Sequence, residues 1–188
     1  MKFLSQIPPP EPPPARPQGI ISLNPRQVQI YTVAIALLTM PVVYLAWRLT
    51  FGADQIFGIF DEPSWVFIGT TIGVMLVHEL THMVAHPAMG LSANSIIGFD
   101  RKFFVLFAAY RGPLSKWRYL LMALMPITLL TLLPFSLAIF YPAFIPELAW
   151  CSIFNMAAAG TDIYVAYAVF VKMPSDCIIQ GGVFGYLE

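Results

Sequence analysis

Charged residues are scarce in this chain, and their scarcity argues against a soluble protein. Lysine, arginine, aspartate and glutamate make up 11% of the 188 residues, whereas soluble domains carry about 25%. The ten basic and ten acidic residues cancel, which leaves no net charge to attract nucleic acid. With 58% hydrophobic residues and a mean hydropathy of +0.72, the composition predicts a one-domain, multi-pass integral membrane protein in contact with the lipid bilayer.

Cysteine is scarce too, since the chain has only two. Cys151 lies within an apolar segment and Cys177 near the C-terminus, a placement that argues against a disulfide. The N-terminus lacks an apolar stretch followed by a small-residue cleavage site, so we expect no cleaved signal peptide.

Proline, by contrast, is abundant. The run Pro-Pro-Pro-Glu-Pro-Pro-Pro at residues 8–14 predicts an extended, solvated tether or, alternatively, a docking ligand for a partner.

Four apolar segments are long enough to cross a bilayer, which requires about 20 residues. They cover residues 28–49, 64–86, 117–141 and 146–171. Between the second and third segments, residues 95–99 and 103–107 flank Asp100-Arg101-Lys102 and predict a β-hairpin. The expected fold class is therefore an all-α membrane protein with about four transmembrane helices and a short β-hairpin between helices two and three.

The distribution of lysine and arginine predicts the orientation, because short loops rich in these residues stay in the cytoplasm. Basic residues precede the first segment, occupy the loop between the second and third, and follow the fourth: Lys2, Arg16, Arg26, Arg101, Lys102, Arg111, Lys116, Arg118 and Lys172. Both termini and the hairpin loop are thus expected in the cytoplasm. The predicted organisation is a cytoplasmic N-terminal segment (1–27), a single transmembrane domain (28–172) and a cytoplasmic tail (173–188).

All three histidines of the chain lie within nine residues of the second segment. His78-Glu79-Leu80-Thr81-His82 is an HExxH pentad, and His86 follows one turn later. Residues i and i+4 share a helix face, so His78 and His82 can close on one metal ion, with Glu79 beside it as general base for water. Because ionisable groups within a span are costly, the pattern indicates a Zn²⁺ site. The alternative is a structural polar cluster.

Catalytic zinc usually has three protein ligands, and the sequence offers two candidates for the third. On a straight helix His86 lies about 12 Å along the axis from His78, too far to share an ion; it is interpreted as a helix-end cation or second-site residue. Asp162 lies about as deep as His78 when both are counted from the cytoplasmic helix ends, which makes it the predicted ligand. Its alternative is a protonated aspartate bonded to another helix. Asn155 lies two turns from Asp162 on the same face, and Gly160 allows close helix approach.

Taken together, these motifs resemble a known family of membrane enzymes. Over residues 64–188 the chain is similar to zincin membrane peptidases of the site-2 protease type, especially a small four-span bacterial branch. The chain lacks the Asn-Pro-Asp-Gly stretch of the better-known members, and it has Thr161 where the small branch usually has glycine. The resemblance is carried by His78-Glu79-Leu80-Thr81-His82, Gly90, Gly112-Pro113-Leu114-Ser115, Met125-Pro126, Asn155 and Gly160-Thr161-Asp162.

The resemblance implies a metalloprotease that hydrolyses peptide bonds of a membrane or membrane-associated protein, within or beside the bacterial plasma membrane. Zinc would be held by His78, His82 and Asp162, Glu79 would be catalytic, and Asn155 is a candidate substrate or oxyanion group. The hairpin edge could hold an extended substrate by strand addition, or the hairpin only packs on the helices. Two rival interpretations are a catalytically inactive zinc-binding scaffold or chaperone and a metal-free bundle.

Overall fold

The computed structural model describes residues 1–5, 19–21, 24–101, 105–180 and 184–186. The proline run at residues 8–14, predicted to be an extended tether, lies outside the described residues. The helices are α1 (Pro25–Phe51), α2 (Ala53–Phe57), α3 (Ser64–Ala85), α4 (Lys116–Ile127), α5 (Leu133–Ala138), α6 (Ile145–Ala158) and α7 (Gly160–Lys172). The strands are β1 (Lys2–Leu4), β2 (Gly19–Ile21), β3 (Ser95–Asp100), β4 (Val105–Tyr110), β5 (Leu114–Ser115), β6 (Ile178–Ile179) and β7 (Phe184–Tyr186).

Three described helical stretches are long and apolar enough to cross a membrane: Arg26–Phe51, Ser64–Ala85 and Lys116–Ala138. The last of these joins α4 and α5 through a π-helical turn, Thr128–Leu132. Many of their large apolar side chains are exposed, as expected of a surface that faces lipid. The composition and length of these helices are therefore consistent with an integral membrane protein.

The fourth predicted span is not one continuous helix. α6 and α7 together have the length and hydropathy of a span, but they are bent by 54° at the residue between them, Ala159. Gly160, which has weak helix propensity, lies against α1 at this bend, where an added Cβ would be 2.6 Å from the carbonyl oxygen of Thr32. The expected close approach at Gly160 is thus present, and the fourth predicted span is a bent pair of helices.

α3, which carries the HExxH pentad, ends abruptly. Pro87 disfavours a helical conformation for the residue before it, and His86 is extended, with φ −61° and ψ 154°. Residues 88–90 then all have positive φ, and a Cβ on Gly90 would lie 2.9 Å from the carbonyl oxygen of Met83. This tight turn directs the chain from the end of α3 into β3.

β3 and β4 form the predicted antiparallel pair, and their cytoplasmic location stays a prediction. Their strands cover Ser95–Asp100 and Val105–Tyr110, and the first two residues of the predicted second strand, 103 and 104, lie outside the described residues. Strand β1 adds to the other side of β3 in parallel, which requires a glycine at position 98 because a Cβ there would collide with the Leu4 carbonyl. The order β1–β3–β4 leaves β4 at the edge of this sheet among the described strands, packed against α3.

Two apolar clusters hold the helices together. One joins α1, α2, α5 and α6, and the other joins α4 and α7 to the segment that follows. Lys116, buried at the start of α4, donates hydrogen bonds to the carbonyls of Phe170 and Met173 at the end of α7, where a cation is favourable. α4 and α6 also pack against α3, the helix that carries the pentad, and α7 packs against α4. The clusters consist of Trp47, Ile56, Ala138, Ile145, Ala149 and Ile153, and of Leu120, Ala123, Ala166, Val169, Met173, Cys177 and Ile179.

Candidate metal centre

The two histidines of the pentad lie on one buried face of α3. His78 is 4% exposed and His82 is 8% exposed, and their ring centroids are 5.0 Å apart with the rings nearly perpendicular. Thr81, between them, donates its hydroxyl to the carbonyl of His78. The i, i+4 spacing therefore brings both imidazoles to one point, as the pattern predicts.

The first turn of α7 brings Asp162 to the same point. One carboxylate oxygen, Oδ2, lies 3.1 Å from Nε2 of His78, and the other, Oδ1, lies 3.4 Å from Nε2 of His82. One ligand atom from each of the three residues lies within 4.8 Å of the others, a grouping that could hold a metal ion. The bend between α6 and α7 lies just before this point, and α7 begins two residues before the aspartate.

The opposite nitrogen of each ring is held by a hydrogen-bond acceptor behind the site. Nδ1 of His82 is 2.8 Å from the carbonyl oxygen of Met122, and this oxygen can only accept, so Nδ1 carries the proton. Nδ1 of His78 is 2.9 Å from Oδ1 of Asn155. The amide of Asn155 donates to the carbonyl of Pro126 at 3.0 Å, which fixes its oxygen toward His78. Both histidines therefore present an Nε2 lone pair when they are neutral.

With both Nδ1 atoms protonated and both rings neutral, only hydrogen-bond acceptors face one another at the site. The Nε2 atoms of His78 and His82 and the carboxylate of Asp162 all point lone pairs into the same small space. Within the described part of the chain, Oδ2 of Asp162 is buried and accepts no hydrogen bond. A metal ion, or a proton on one of the imidazoles, would satisfy such a set, and two imidazoles with one carboxylate are a donor set that catalytic zinc takes. The residues present therefore fit zinc.

Glu79 lies next to these three residues at a cavity of about 690 Å³. Its Oε2 accepts a hydrogen bond of 2.7 Å from the backbone N–H of Ala108 in β4. The edge of the hairpin thus lies over the pentad and holds the carboxylate in place. The cavity is lined by Ile72, Met75, Leu76, His78, Glu79, His82, Phe99, Leu106, Phe107, Ala108, Ala158, Thr161 and Asp162.

Two residues singled out in the sequence occupy other environments than expected. His86 lies outside the grouping and is 1% exposed, and burial lowers the pKa of its ring to about 4. Its interpretation as a helix-end cation or second-site residue stays a prediction. Asn155 is 0% exposed, and its amide donates to the Pro126 carbonyl and the Thr131 hydroxyl inside the bundle. Its contacts orient His78 and do not open into the cavity.

Sequence reasoning missed the backbone groups that complete the site. The carbonyl of Met122 contacts His82, and the N–H of Ala108 contacts Glu79. Main-chain groups such as these cannot be identified from side-chain patterns in a sequence. One signal was available for the first of them. Pro126 follows Met122 by four residues inside a helix, a spacing that deprives the Met122 carbonyl of its usual donor.

Comparison with known proteins places the site within a described family. Residues 71–178, more than half of the chain, match the family described as "putative zincin peptidase". The matched stretch contains the pentad, the Met122–Pro126 turn, Asn155 and Asp162. No curated protein and no solved structure matches the chain.

Proposed function

The chain belongs to this zincin peptidase family, and on that premise we propose that it is a zinc metalloprotease of the site-2 protease type that acts within or beside a membrane. The observation that carries the proposal is the convergence of His78, His82 and Asp162 as three acceptors with Glu79 on the wall of the same cavity. A site that only stored metal would have no need of an acid–base group at this position.

The residues of the chain divide the chemistry between them. His78, His82 and Asp162 would hold the zinc, and zinc in such a site lowers the pKa of water and polarises a carbonyl group. Glu79 takes the proton of the attacking water and later delivers it to the leaving amine. The N–H of Ala108 keeps this carboxylate beside the ligands. General-base assistance of this kind contributes about 10²–10⁴-fold to the rate.

The cavity supports an extended, apolar peptide as substrate. Apolar side chains from α3 and the hairpin, among them Met75, Phe99 and Leu106, line it together with Glu79. A helical peptide would present few free peptide groups, because its own hydrogen bonds shield them. β4, which lies at the edge of its sheet among the described strands, offers backbone groups to which an extended segment of a membrane or membrane-associated protein could pair.

The proposal includes a location. Three to four helices of sufficient length and hydropathy support an integral membrane protein. The basic residues around the hairpin and near both chain ends support a cytoplasmic position for the termini and for the cavity mouth. The sequence resemblance to a bacterial branch supports the bacterial plasma membrane as the compartment.

Glu79→Gln provides the central test. Membranes from cells that produce the wild type, Glu79→Gln or the control Glu62→Gln are compared by mass spectrometry of new peptide N-termini, and zinc is quantified in each purified protein. Glu62 is exposed and precedes α3, so its variant removes a charge without touching the site. We expect all three proteins to retain zinc, and Glu79→Gln alone to lose the cleavage products.

Two results contradict the proposal in different ways. A zinc content near zero in the supplemented wild type would remove every metal-based function. Zinc in the wild type without any product that depends on Glu79 would instead favour the inactive zinc-binding scaffold or chaperone.

A further inference from the structure

The carbonyl that holds His82 is available because of a proline. In a regular α-helix the carbonyl of Met122 would accept the N–H of residue 126. That residue is Pro126, which has no N–H and whose ring crowds the carbonyl four positions earlier. α4 continues through Pro126, which is fully buried. The Met122 carbonyl, relieved of its helical donor, is the one that lies 2.8 Å from Nδ1 of His82.

The same turn of α4 also supports the other imidazole. The carbonyl of Pro126 accepts the amide of Asn155 at 3.0 Å, and Oδ1 of Asn155 accepts the Nδ1 proton of His78 at 2.9 Å. A π-helical turn follows directly, at Thr128–Leu132, and wide turns of this kind are frequent at functional sites. One interrupted turn of α4 thus orients both rings from behind.

We propose that Pro126 is a positioning residue of the metal centre. By removing an N–H from the helix, it leaves the Met122 carbonyl to the imidazole of His82, so that Nε2 of that ring is open toward a metal ion. Pro126 itself would touch neither metal nor substrate. The inference rests on the proposed function, since it requires that the site bind zinc. Loss of such a partner behind a ligand costs about 10–100-fold in metal affinity.

A second proline in the same stretch offers a matched control. Pro134, at the start of α5, is also buried, and its ring removes one N–H just after the π-helical turn. Two carbonyls of that turn, those of Leu130 and Thr131, accept hydrogen bonds from Cys151 and Ser152, and neither donor is a predicted metal ligand. Replacing either proline by alanine restores one N–H to the helix, but only Pro126→Ala restores it opposite a carbonyl that holds a histidine.

The experiment compares the wild type, Pro126→Ala and Pro134→Ala as full-length chains in detergent micelles. Zn²⁺ affinity is measured by competition with a chelator, the site is probed by the visible absorption of bound Co²⁺, and metal-free proteins are unfolded by heat. We expect Pro126→Ala to bind Zn²⁺ at least about tenfold more weakly and to change the Co²⁺ spectrum. The metal-free unfolding transitions of the two variants show whether a loss of affinity comes with a loss of fold, since each variant regains one N–H and leaves a space where a buried ring was. Pro134→Ala should retain wild-type affinity.

The outcomes separate this inference from the proposed function. If the wild type binds neither ion, the proposed function fails and the inference fails with it. If the wild type binds and Pro126→Ala binds equally well, or both proline variants weaken alike, the inference alone is overturned. If Pro126→Ala does not fold, Pro126→Gly takes its place, because glycine restores the same N–H without a side chain. Wild-type Zn²⁺ affinity in Pro126→Gly would equally overturn the inference.

Discussion

Replacing Asp162 by asparagine tests the metal centre with the least disturbance of the fold. The two side chains have nearly the same volume, so packing around α7 is preserved, whereas one negative charge and one ligand are lost. The carboxylate is 18% exposed and lies 3.1 Å and 3.4 Å from the two Nε2 atoms. A neutral amide there would offer a much poorer ligand. We therefore expect the variant to fold and to bind Zn²⁺ weakly.

The size of the effect follows from ligand linkage. At a zinc concentration of 100 times Kd, binding stabilises the wild type by about 2.7 kcal/mol. Loss of a ligand should weaken binding by at least about 100-fold. This is the upper end of the range of affinity losses seen when a hydrogen-bond partner of a metal ligand is removed. At the same zinc concentration the variant then gains only about 0.4 kcal/mol. For a chain of this length these energies correspond to zinc-induced Tm shifts of about 5–11 °C for the wild type and about 1 °C for the variant.

The assay is thermal unfolding in detergent, followed by tryptophan fluorescence, with a chelator or with added Zn²⁺. Asp61→Asn is the control, because Asp61 is exposed in the loop before α3 and its replacement changes the net charge equally. The control should show the full wild-type shift. If zinc stabilised Asp162→Asn as strongly as the wild type, the aspartate would not be a ligand and the reasoning from its lone pairs would be refuted.

Two further predictions concern the supports of the site. Asn155→Ala removes the acceptor that holds Nδ1 of His78, so we expect Zn²⁺ affinity, measured by chelator competition, to fall about 10–100-fold; unchanged affinity would contradict the orienting role. Gly160→Ala places a Cβ 2.6 Å from the Thr32 carbonyl oxygen and should destabilise the metal-free protein by about 1–3 kcal/mol in thermal unfolding. Gly69→Ala, with nothing within 4 Å of the added Cβ, should not destabilise it, and equal losses in the two variants would show that the α1 contact is unimportant.

The part of the site that could be predicted from sequence is the part set by helix geometry. A spacing of four residues puts His78 and His82 on one helix face, and a count from the helix ends puts Asp162 at a depth similar to that of His78. The structure brings the three residues together. The exclusion of His86 as a ligand followed from the rise per residue. Each of these steps needs only regular helices, which long apolar segments reliably form.

The unpredicted part depends on contacts between distant segments. The bend before Gly160 depends on the approach of α1, whose Thr32 bonds to Thr161 across 129 positions of sequence, while the alanines before it favour an unbroken helix. The role of Asn155 depends on backbone carbonyls of α4, which no side-chain pattern reveals. Strand β1 has three residues, too few for periodicity to detect.

The position of α1 bears on how much of the chain makes up the folding unit. α1 lies outside the stretch shared with the family, residues 71–178, yet it covers the bend between α6 and α7. Thr32 contacts both Thr161 and the backbone at Gly160, and Tyr31 stacks on Tyr164 at 4.9 Å. A fragment trimmed to the shared stretch would uncover an interrupted backbone, and in the proposed membrane location each unpaired polar group there would cost several kcal/mol. The stretch that matches the family and the stretch that folds as a unit therefore need not coincide in this protein.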